Sequence, residues 1–265
     1  MAAQKKQDMG SGDVKKLLLQ LMIPAVVAQV VNLLYNIVDR IYIGHIEGIG
    51  ASALTGVGLF APILMLMNAF AMLIGAGGAP RTAIAMGQDD KEQAEKILSN
   101  SFTMLLLFSL ILTIVFWVGA PALLRLFGAS DITLPYGLAY SRIYILGTVF
   151  VLLVMGMNPF ITAQGFAKIS MLTTVIGAVI NIILDPILIF GYFGLPRMEV
   201  TGQIVAFILA VLLNRKKNPD VQLDLRHFRP SGNMIGRILG IGVPSMLMIA
   251  IGSLMTYSFN LVLDR

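Results

Sequence analysis

Long stretches without a charged residue dominate this chain of 265 residues. The longest are Leu17–Val38, Gly48–Pro80, Ile97–Leu124, Ile143–Ala167 and Ile238–Leu263. A helix needs about 20 apolar residues to cross a bilayer, and each of these stretches is long enough. Hydrophobic residues make up 57% of the chain and charged residues only 12%, which excludes an ordinary soluble domain. The sequence therefore predicts an all-α polytopic membrane protein.

Seven helical segments follow from these stretches and from the polar residues between them. They are predicted at residues 16–43, 51–79, 95–125, 133–159, 168–192, 201–214 and 236–263. The sixth is the weakest, because Val200–Asn214 gives only about 22 Å of helix, less than the roughly 30 Å hydrocarbon core. The sixth helix is therefore expected to be shortened.

Basic residues gather in the segments that would lie on the amino-terminal side of the membrane, beginning with Lys5, Lys6, Lys15 and Lys16. Such segments usually remain in the cytoplasm. We therefore expect a multi-pass protein of the cell membrane with a cytoplasmic amino terminus. This placement explains the net charge of +5, so no nucleic-acid partner is expected.

Two aspartates interrupt the apolar segments: Asp39 in the first predicted helix and Asp185 in the fifth. A charge at the centre of a membrane helix costs roughly 2.5–3.5 kcal/mol on insertion scales, so such residues usually face a protected cavity or an ion path. Asn181 lies one turn before Asp185, and Asn32 lies two turns before Asp39. Carboxylate and amide oxygens suit a hard cation such as Na+, whereas a coupled carboxylate pair can exchange protons. A purely structural pair is the alternative.

Pro24 and the glycine-rich segment Gly75–Ala79 also have two interpretations each. Pro24 removes a backbone hydrogen bond in mid-helix and predicts either a hinge or a static bend. Gly75–Ala79 lacks the lysine of a phosphate-binding loop, which favours close helix packing. The chain has no cysteine and neither a His-Glu-x-x-His nor a Gly-x-Ser-x-Gly motif. We expect no enzymatic activity and no cofactor besides a transported Na+ or H+.

Three groups of residues resemble the multidrug and toxic compound extrusion (MATE) family, in particular its bacterial multidrug-export and DinF-like branch. They are Leu34–Gly44 (LYNIVDRIYIG), the pairs Asn158-Pro159 and Gln164-Gly165, and Asn181–Gly191 (NIILDPILIFG). The resemblance implies two lobes of six helices around a central cavity. It also implies secondary active efflux, in which amphipathic and often cationic compounds are exchanged for Na+ or H+.

The resemblance implies roles for particular residues as well. Positions that bind the coupling cation in relatives match five residues of this chain: Asp39, Asn181, Asp185, Asn158 and Tyr140. The first three would be the ligands of Na+ if the protein is sodium-coupled. Pro24 matches a proline whose bending accompanies ion binding, and it is therefore the candidate hinge. Asn32 is the candidate residue of the substrate cavity.

The same resemblance divides the chain into an amino-terminal six-helix lobe at 1–214, a basic cytoplasmic linker at 215–235, and the first helix of a truncated second lobe at 236–265. A faint repeat supports this division, since Lys16–Pro24 and Arg237–Pro244 each join a basic residue to a proline through an apolar stretch. The missing carboxy-terminal lobe would be needed for a complete transporter. The other partners expected are small-molecule drugs or toxic organic cations and the lipid bilayer.

The sequence alone leaves two rival functions open. A lipid-linked flippase of the same superfamily would be expected to hold several cationic residues in its cavity, whereas this chain offers two acids and no lysine at mid-membrane depth. A non-transporting fragment is the second rival, and it follows from the absence of a second lobe.

Overall fold

The computed structural model describes residues 14–46, 48–189 and 231–263, and every regular element within them is an α-helix. The helices are α1 (Val14–Gly44), α2 (Gly50–Gly87), α3 (Lys91–Leu126), α4 (Leu134–Leu146), α5 (Thr148–Ala163), α6 (Ala167–Ile189) and α7 (Gly232–Leu263). Among the described residues, four helices are long and apolar enough to cross a membrane, and the bent pair of α4 and α5 makes a fifth when counted as one span. The prediction of an all-α polytopic membrane protein is confirmed.

The predicted helix limits agree with the structure to within about four residues for α1, α3 and α7. α2 is longer than predicted, because the helix continues through Pro80 and Arg81 to Gly87. The predicted sixth helix at 201–214 and residues 215–230 of the predicted linker lie outside the described residues, and residues 232–235 of that linker belong to α7. The division into two lobes therefore stays a prediction.

The fourth predicted segment, 133–159, is a single apolar stretch that the structure divides in two. α4 and α5 meet at Gly147, and their axes differ by 58°. The backbone N–H of Gly147 donates to the Tyr144 carbonyl oxygen at 3.0 Å. The Thr113 hydroxyl of α3 lies 3.5 Å from the Ile145 carbonyl oxygen, but its hydrogen has a closer acceptor in the Ser109 carbonyl oxygen at 2.7 Å.

α2 is the central helix of the bundle and packs against α3, α4, α5 and α7. Glycines allow this close approach: Gly75 lies against α5 at Gly156, and Gly77 lies against α7 at Ile238. A Cβ atom at Gly77 would come within 2.2 Å of the Ile238 carbonyl oxygen. The close packing predicted for Gly75–Ala79 is therefore confirmed.

α1 lies at the edge of the bundle and pairs chiefly with α6. Its large apolar side chains are mostly exposed, as expected for a helix whose outer surface is covered by lipid. Among its described side chains only three are buried: Pro24, Asp39 and Ile43. The most exposed helix of the bundle thus buries a carboxyl group.

α1 and α6 run in the same direction. Met67 of α2 contacts Thr148 at the start of α5. About three turns later Gly78 of α2 meets Phe160 of α5, so α2 and α5 are parallel. Short turns join α1 to α2 and α5 to α6, and each of these pairs is therefore antiparallel. It follows that α1 and α6 are parallel to each other.

Candidate ligand cavity and buried carboxyl group

A cavity of about 390 Å³ lies between α1, α2, α5 and α6. Its polar lining consists of amide and hydroxyl side chains: Gln29, Asn32, Tyr35, Asn158, Thr162, Ser170 and Thr174. Met72, Met155, three alanines and Gly177 form much of the remaining wall. An apolar wall with a few convergent polar groups, at this size, is typical of a small-molecule site. The candidate cavity residue Asn32 lies in this lining.

The α1 side of the cavity is one helical stripe. Ala25, Gln29, Asn32 and Tyr35 are spaced by three or four residues and therefore lie on one face of the helix. Asp39 is the next member of the series, one turn beyond Tyr35. The buried carboxyl group thus belongs to the same face of α1 as the cavity lining, although Asp39 does not itself line the cavity.

Asp39 is only 7% exposed. Its Oδ1 atom is buried and has no hydrogen-bond partner among the described residues. Leaving a buried polar atom without a partner costs about 1–3 kcal/mol, and such atoms in native structures call for an explanation other than stability. One turn later, Ile43 packs against Ala53 of α2 in a small apolar cluster. The carboxyl group is therefore held beside the corner where α1 turns into α2.

Asn158 lines the cavity from α5 and is bound to α6. Its Nδ2 atom donates to the Thr174 hydroxyl oxygen at 3.1 Å and to the Ser170 carbonyl oxygen at 3.4 Å. The Thr173 hydroxyl lies 3.4 Å from Asn158 Oδ1 and 2.8 Å from the Ser170 carbonyl oxygen. Asn158 and Asn32, which the sequence singled out separately, therefore lie in the same cavity.

The α6 side of the cavity has the same kind of stripe. Thr174 and Ala178 line the cavity four residues apart, and the backbone positions of Asn181 and Asp185 continue this series one and two turns further along α6. Because α1 and α6 are parallel, these positions and Asp39 lie beyond the same end of the cavity. The structure describes the backbone of Asn181 and Asp185 but not their side chains. The convergence of these side chains with Asp39 therefore stays a prediction.

Tyr140, another residue expected at the cation site, lies in α4 within a cluster of aromatic rings. Its ring stacks on Tyr144, with centroids 6.2 Å apart and planes inclined by 18°. Both rings meet Phe60 of α2 edge-on at 5.6 Å. Tyr140 is not part of the cavity lining. The bend at Gly147 lies between Tyr140 and Asn158 along the chain. The place of Tyr140 at the cation site stays a prediction, because that site includes Asn181 and Asp185.

Pro24 is buried inside α1, and the helix continues on both sides of it. The next residue, Ala25, is the first to line the cavity. A bend at Pro24 would change the position of the whole α1 stripe relative to α6. The hinge itself stays a prediction.

The hydroxyl residues Thr162, Ser170 and Thr174 are functional candidates that the sequence reasoning missed. A signal for them exists in the turn at Gln164-Gly165, which folds the end of α5 back onto the start of α6. No three His, Asp or Glu side chains lie close enough to hold a metal ion within the described part of the chain. The expected Na+ ligands include Asn181 and Asp185 and are therefore not tested.

A bundle of membrane helices around a polar cavity, with a buried carboxyl group at its edge, is an arrangement typical of membrane transporters. The MatE family model matches residues 24–187, which is more than half of the chain. The chain therefore belongs to the MATE family, as its resemblance indicated.

Individual relatives agree with this assignment. The multidrug export protein MepA of Staphylococcus haemolyticus is 27% identical over 252 residues, which cover 94% of this chain and 55% of the relative. A MATE structure in the bent conformation matches with a TM-score of 0.80 at 31% identity, over 89% of this chain and 53% of that one. An outward-facing multidrug resistance MATE family transporter of the MOP superfamily matches with a TM-score of 0.81 at 29% identity, over 92% and 56%. The chain thus spans about half the length of the curated relatives it matches.

Proposed function

We propose that this chain takes part in secondary active multidrug efflux, exchanging amphipathic and often cationic compounds for Na+ or H+. Membership of the MATE family and similarity to a named multidrug export protein support this at the family level. The observation that supports it most directly is the buried carboxyl group of Asp39, without a described partner at Oδ1, on the helical face that lines the cavity. Such a group is poorly explained by stability and well explained by ion coupling.

In this proposal the coupling cation and the drug bind to neighbouring parts of one lobe. Asp39, Asn181 and Asp185 bind the cation beyond one end of the cavity, and the cavity binds the drug. Cation binding neutralises the carboxyl groups and favours one conformation of the lobe, whereas drug binding favours the other. Exchange then follows, because each ligand discriminates between the two conformations.

The lining of the cavity suits chemically varied organic compounds. Met72 and Met155 have flexible, polarizable side chains that adapt to different ligand shapes. A flippase for anionic lipid headgroups would need cationic side chains, and none of the described lining residues is charged. Drug export is therefore the better supported of the two functions.

We also propose that the protein lies in the cell membrane with its amino terminus in the cytoplasm. The distribution of basic residues supports this orientation. Efflux is a property of the whole relatives, of which this chain spans about half, so a second lobe is a required partner in the proposed reaction.

Substitution of Asp39 by asparagine tests the proposal. The chain is expressed as a fusion to the carboxy-terminal half of a whole relative such as MepA, which supplies the required second lobe. The host is a bacterial strain that lacks its own multidrug pumps, and the export of preloaded ethidium is followed by fluorescence. Asp39→Asn is expected to lower the initial rate by about tenfold or more, within the usual range of coupling energies. Asp131→Asn is the matched control, because that carboxylate is 96% exposed and lies in a loop.

Two results would contradict the proposal. If the whole relative exports ethidium but the fusion with unmodified Asp39 does no better than the empty vector, the transport function would be removed from this chain. Export by Asp39→Asn at the unmodified rate would remove the carboxyl group from the mechanism.

A further inference from the structure

The amide nitrogen of Asn158 faces α6. An asparagine amide has two N–H donors and one carbonyl oxygen with two lone pairs. The Nδ2 atom of Asn158 donates to Thr174 Oγ1 at 3.1 Å and lies 3.4 Å from the Ser170 carbonyl oxygen, which has closer donors in the Thr173 and Thr174 hydroxyls. The contact between α5 and α6 therefore takes the nitrogen side of the amide, and Thr174 is its closest partner there.

The two acceptors on α6 also determine which way the amide faces. A backbone carbonyl oxygen accepts and never donates, so the nitrogen of Asn158, and not its oxygen, must face Ser170. The Thr174 hydroxyl donates its single hydrogen to the Ser170 carbonyl oxygen at 3.2 Å. Its oxygen is then available only to accept, which again selects the nitrogen of Asn158. A reversed amide would place its oxygen against the Ser170 carbonyl oxygen, where the structure has the nitrogen.

The oxygen of the same amide keeps most of its acceptor capacity. The Thr173 hydroxyl lies 3.4 Å from Asn158 Oδ1, but its single hydrogen has a closer acceptor in the Ser170 carbonyl oxygen at 2.8 Å. At most one of the two lone pairs of Oδ1 is therefore used by this hydroxyl. Since Asn158 lines the cavity, the group that it can offer to a ligand is an oxygen acceptor.

We propose that Thr174 is a positioning residue, which holds the Asn158 amide so that Oδ1 serves the ligand of the cavity as an acceptor. The ligand group that binds there is a cation or an N–H or O–H donor, and not an anion. Two sources have this chemistry: an alkali cation such as Na+, and the ammonium or amino group of an organic cation. The inference rests on the proposed function, because it takes the cavity to be the binding site for the transported cation or drug.

Two substitutions at position 174 separate hydrogen bonding from packing. Thr174→Val keeps the shape of the side chain but removes the oxygen that accepts from Asn158, whereas Thr174→Ser keeps that oxygen. Thr103→Val is the matched control: the half-buried Thr103 hydroxyl also donates to the carbonyl four residues earlier, Ser99, at 2.9 Å, and it accepts from no described asparagine.

The experiment measures ligand binding to the full chain in lipid nanodiscs. Ethidium binding is followed by its fluorescence, and Na+ binding by the rise in thermal unfolding temperature, with choline replacing sodium. Thr174→Val is expected to weaken binding of one of these probes by about fivefold, as for the loss of one well-oriented hydrogen-bonding group. Thr174→Ser and Thr103→Val are expected to remain within about twofold of the unmodified chain. The probe whose binding is weakened shows whether the ligand at Asn158 is an alkali cation or an organic cation.

A measurement on the unmodified chain keeps the inference testable if Thr174→Val does not fold. With asparagine labelled by ¹³C and ¹⁵N, the Cγ resonance of Asn158 is expected to shift when the bound probe is added, while the side-chain ¹⁵N–H resonances stay in place. A shift confined to the N–H resonances would overturn the inference, because it would show that the ligand uses the donors.

The remaining outcomes separate this inference from the proposed function. Unchanged binding in Thr174→Val, or equal weakening in all three variants, overturns the positioning role while the binding site itself is retained. Failure of the unmodified chain to bind either probe overturns the proposed function together with the inference.

Discussion

The Oγ atom of Ser253 in α7 donates a hydrogen bond of 3.1 Å to the carbonyl oxygen of Pro62 in α2, and both residues are buried. Three turns earlier on α7, Gly242 meets the backbone of Leu73. α7 therefore packs along α2 over several turns and in the opposite direction. The described contacts of α7 are with α2 and α3, and its assignment to the start of a second lobe stays a prediction.

Removing the hydroxyl of Ser253 is expected to loosen this contact. Ser253→Ala loses one hydrogen bond between helices, and such bonds in membrane proteins contribute about 0.5–1.5 kcal/mol. The measurement is thermal unfolding of the purified chain in detergent. Ser245→Ala on the same helix is the control, because that half-buried hydroxyl makes no described side-chain hydrogen bond. A loss of equal size in both variants would contradict the role of the bond.

Glycine at position 242 is expected to be required for the close packing of α7 against α2. A Cβ atom there would come within 1.7 Å of the Leu73 carbonyl oxygen, so Gly242→Ala forces α7 away from α2. Overpacking of this kind costs about 1–3 kcal/mol. Gly240→Ala is the matched control, since a Cβ atom there meets nothing within 4 Å, and alanine favours a helix over glycine by about 0.5–1 kcal/mol. The two variants should therefore change the unfolding temperature in opposite directions, and a common direction would refute the packing argument.

The spans of this fold were predictable from the sequence because a bilayer demands uninterrupted apolar stretches. The limits of α1 and α3 confirm this to within a few residues. The 58° bend at Gly147 was not predictable, because no proline marks it. The Ile145 carbonyl oxygen beside the bend lies 3.5 Å from the Thr113 hydroxyl of α3, and an apolar pattern contains no information about that neighbour.

The candidate site likewise contains residues that could be predicted from the sequence and residues that could not. Asp39 was predictable because a carboxylate in an apolar stretch is itself the signal. Thr174 was not, since serine and threonine are common in membrane helices and satisfy themselves on their own backbone. Its importance depends on Asn158, which reaches it only because α5 folds back onto α6. The place of Tyr140 among aromatic rings likewise depends on Phe60, a residue of another helix.

The start of α7 is expected to depend on Asn100 of α3. Its Oδ1 atom accepts from the backbone N–H of Ser231 at 2.8 Å, and its Nδ2 atom donates to the Lys96 carbonyl oxygen at 2.7 Å. Asn100→Ala removes the cap and is expected to cost about 1 kcal/mol, concentrated at the first turn of α7. Hydrogen exchange followed by mass spectrometry should show faster exchange at residues 231–235. Asn233→Ala, an exposed position in the same turn, serves as the control.

If Asn100→Ala accelerates exchange evenly over the whole chain, Asn100 supports the fold generally and not the start of α7. Faster exchange in Asn233→Ala of the same size would show that the first turn of α7 is sensitive to any substitution, and it would equally contradict the capping role.

The last prediction concerns the balance between stability and function at Asp39. Asp39 is only 7% exposed, and Asp39→Asn removes the charge that its carboxyl group can carry. Because a buried charge costs more than a buried neutral amide, the variant is expected to raise the free energy of unfolding in the absence of ligand by about 1 kcal/mol. The same variant should lose the stabilisation that a bound cation gives, since a ligand that binds only the folded state stabilises it in proportion to the logarithm of its concentration. Thermal unfolding in sodium chloride and in choline chloride of equal ionic strength measures both effects. Sodium should raise the unfolding temperature of the unmodified chain and of Asp131→Asn, but not that of Asp39→Asn.

If acidification raises the unfolding temperature of the unmodified chain and sodium does not, H+ is the coupling ion. If sodium raises the unfolding temperature of Asp39→Asn as much as that of the unmodified chain, the cation binds elsewhere.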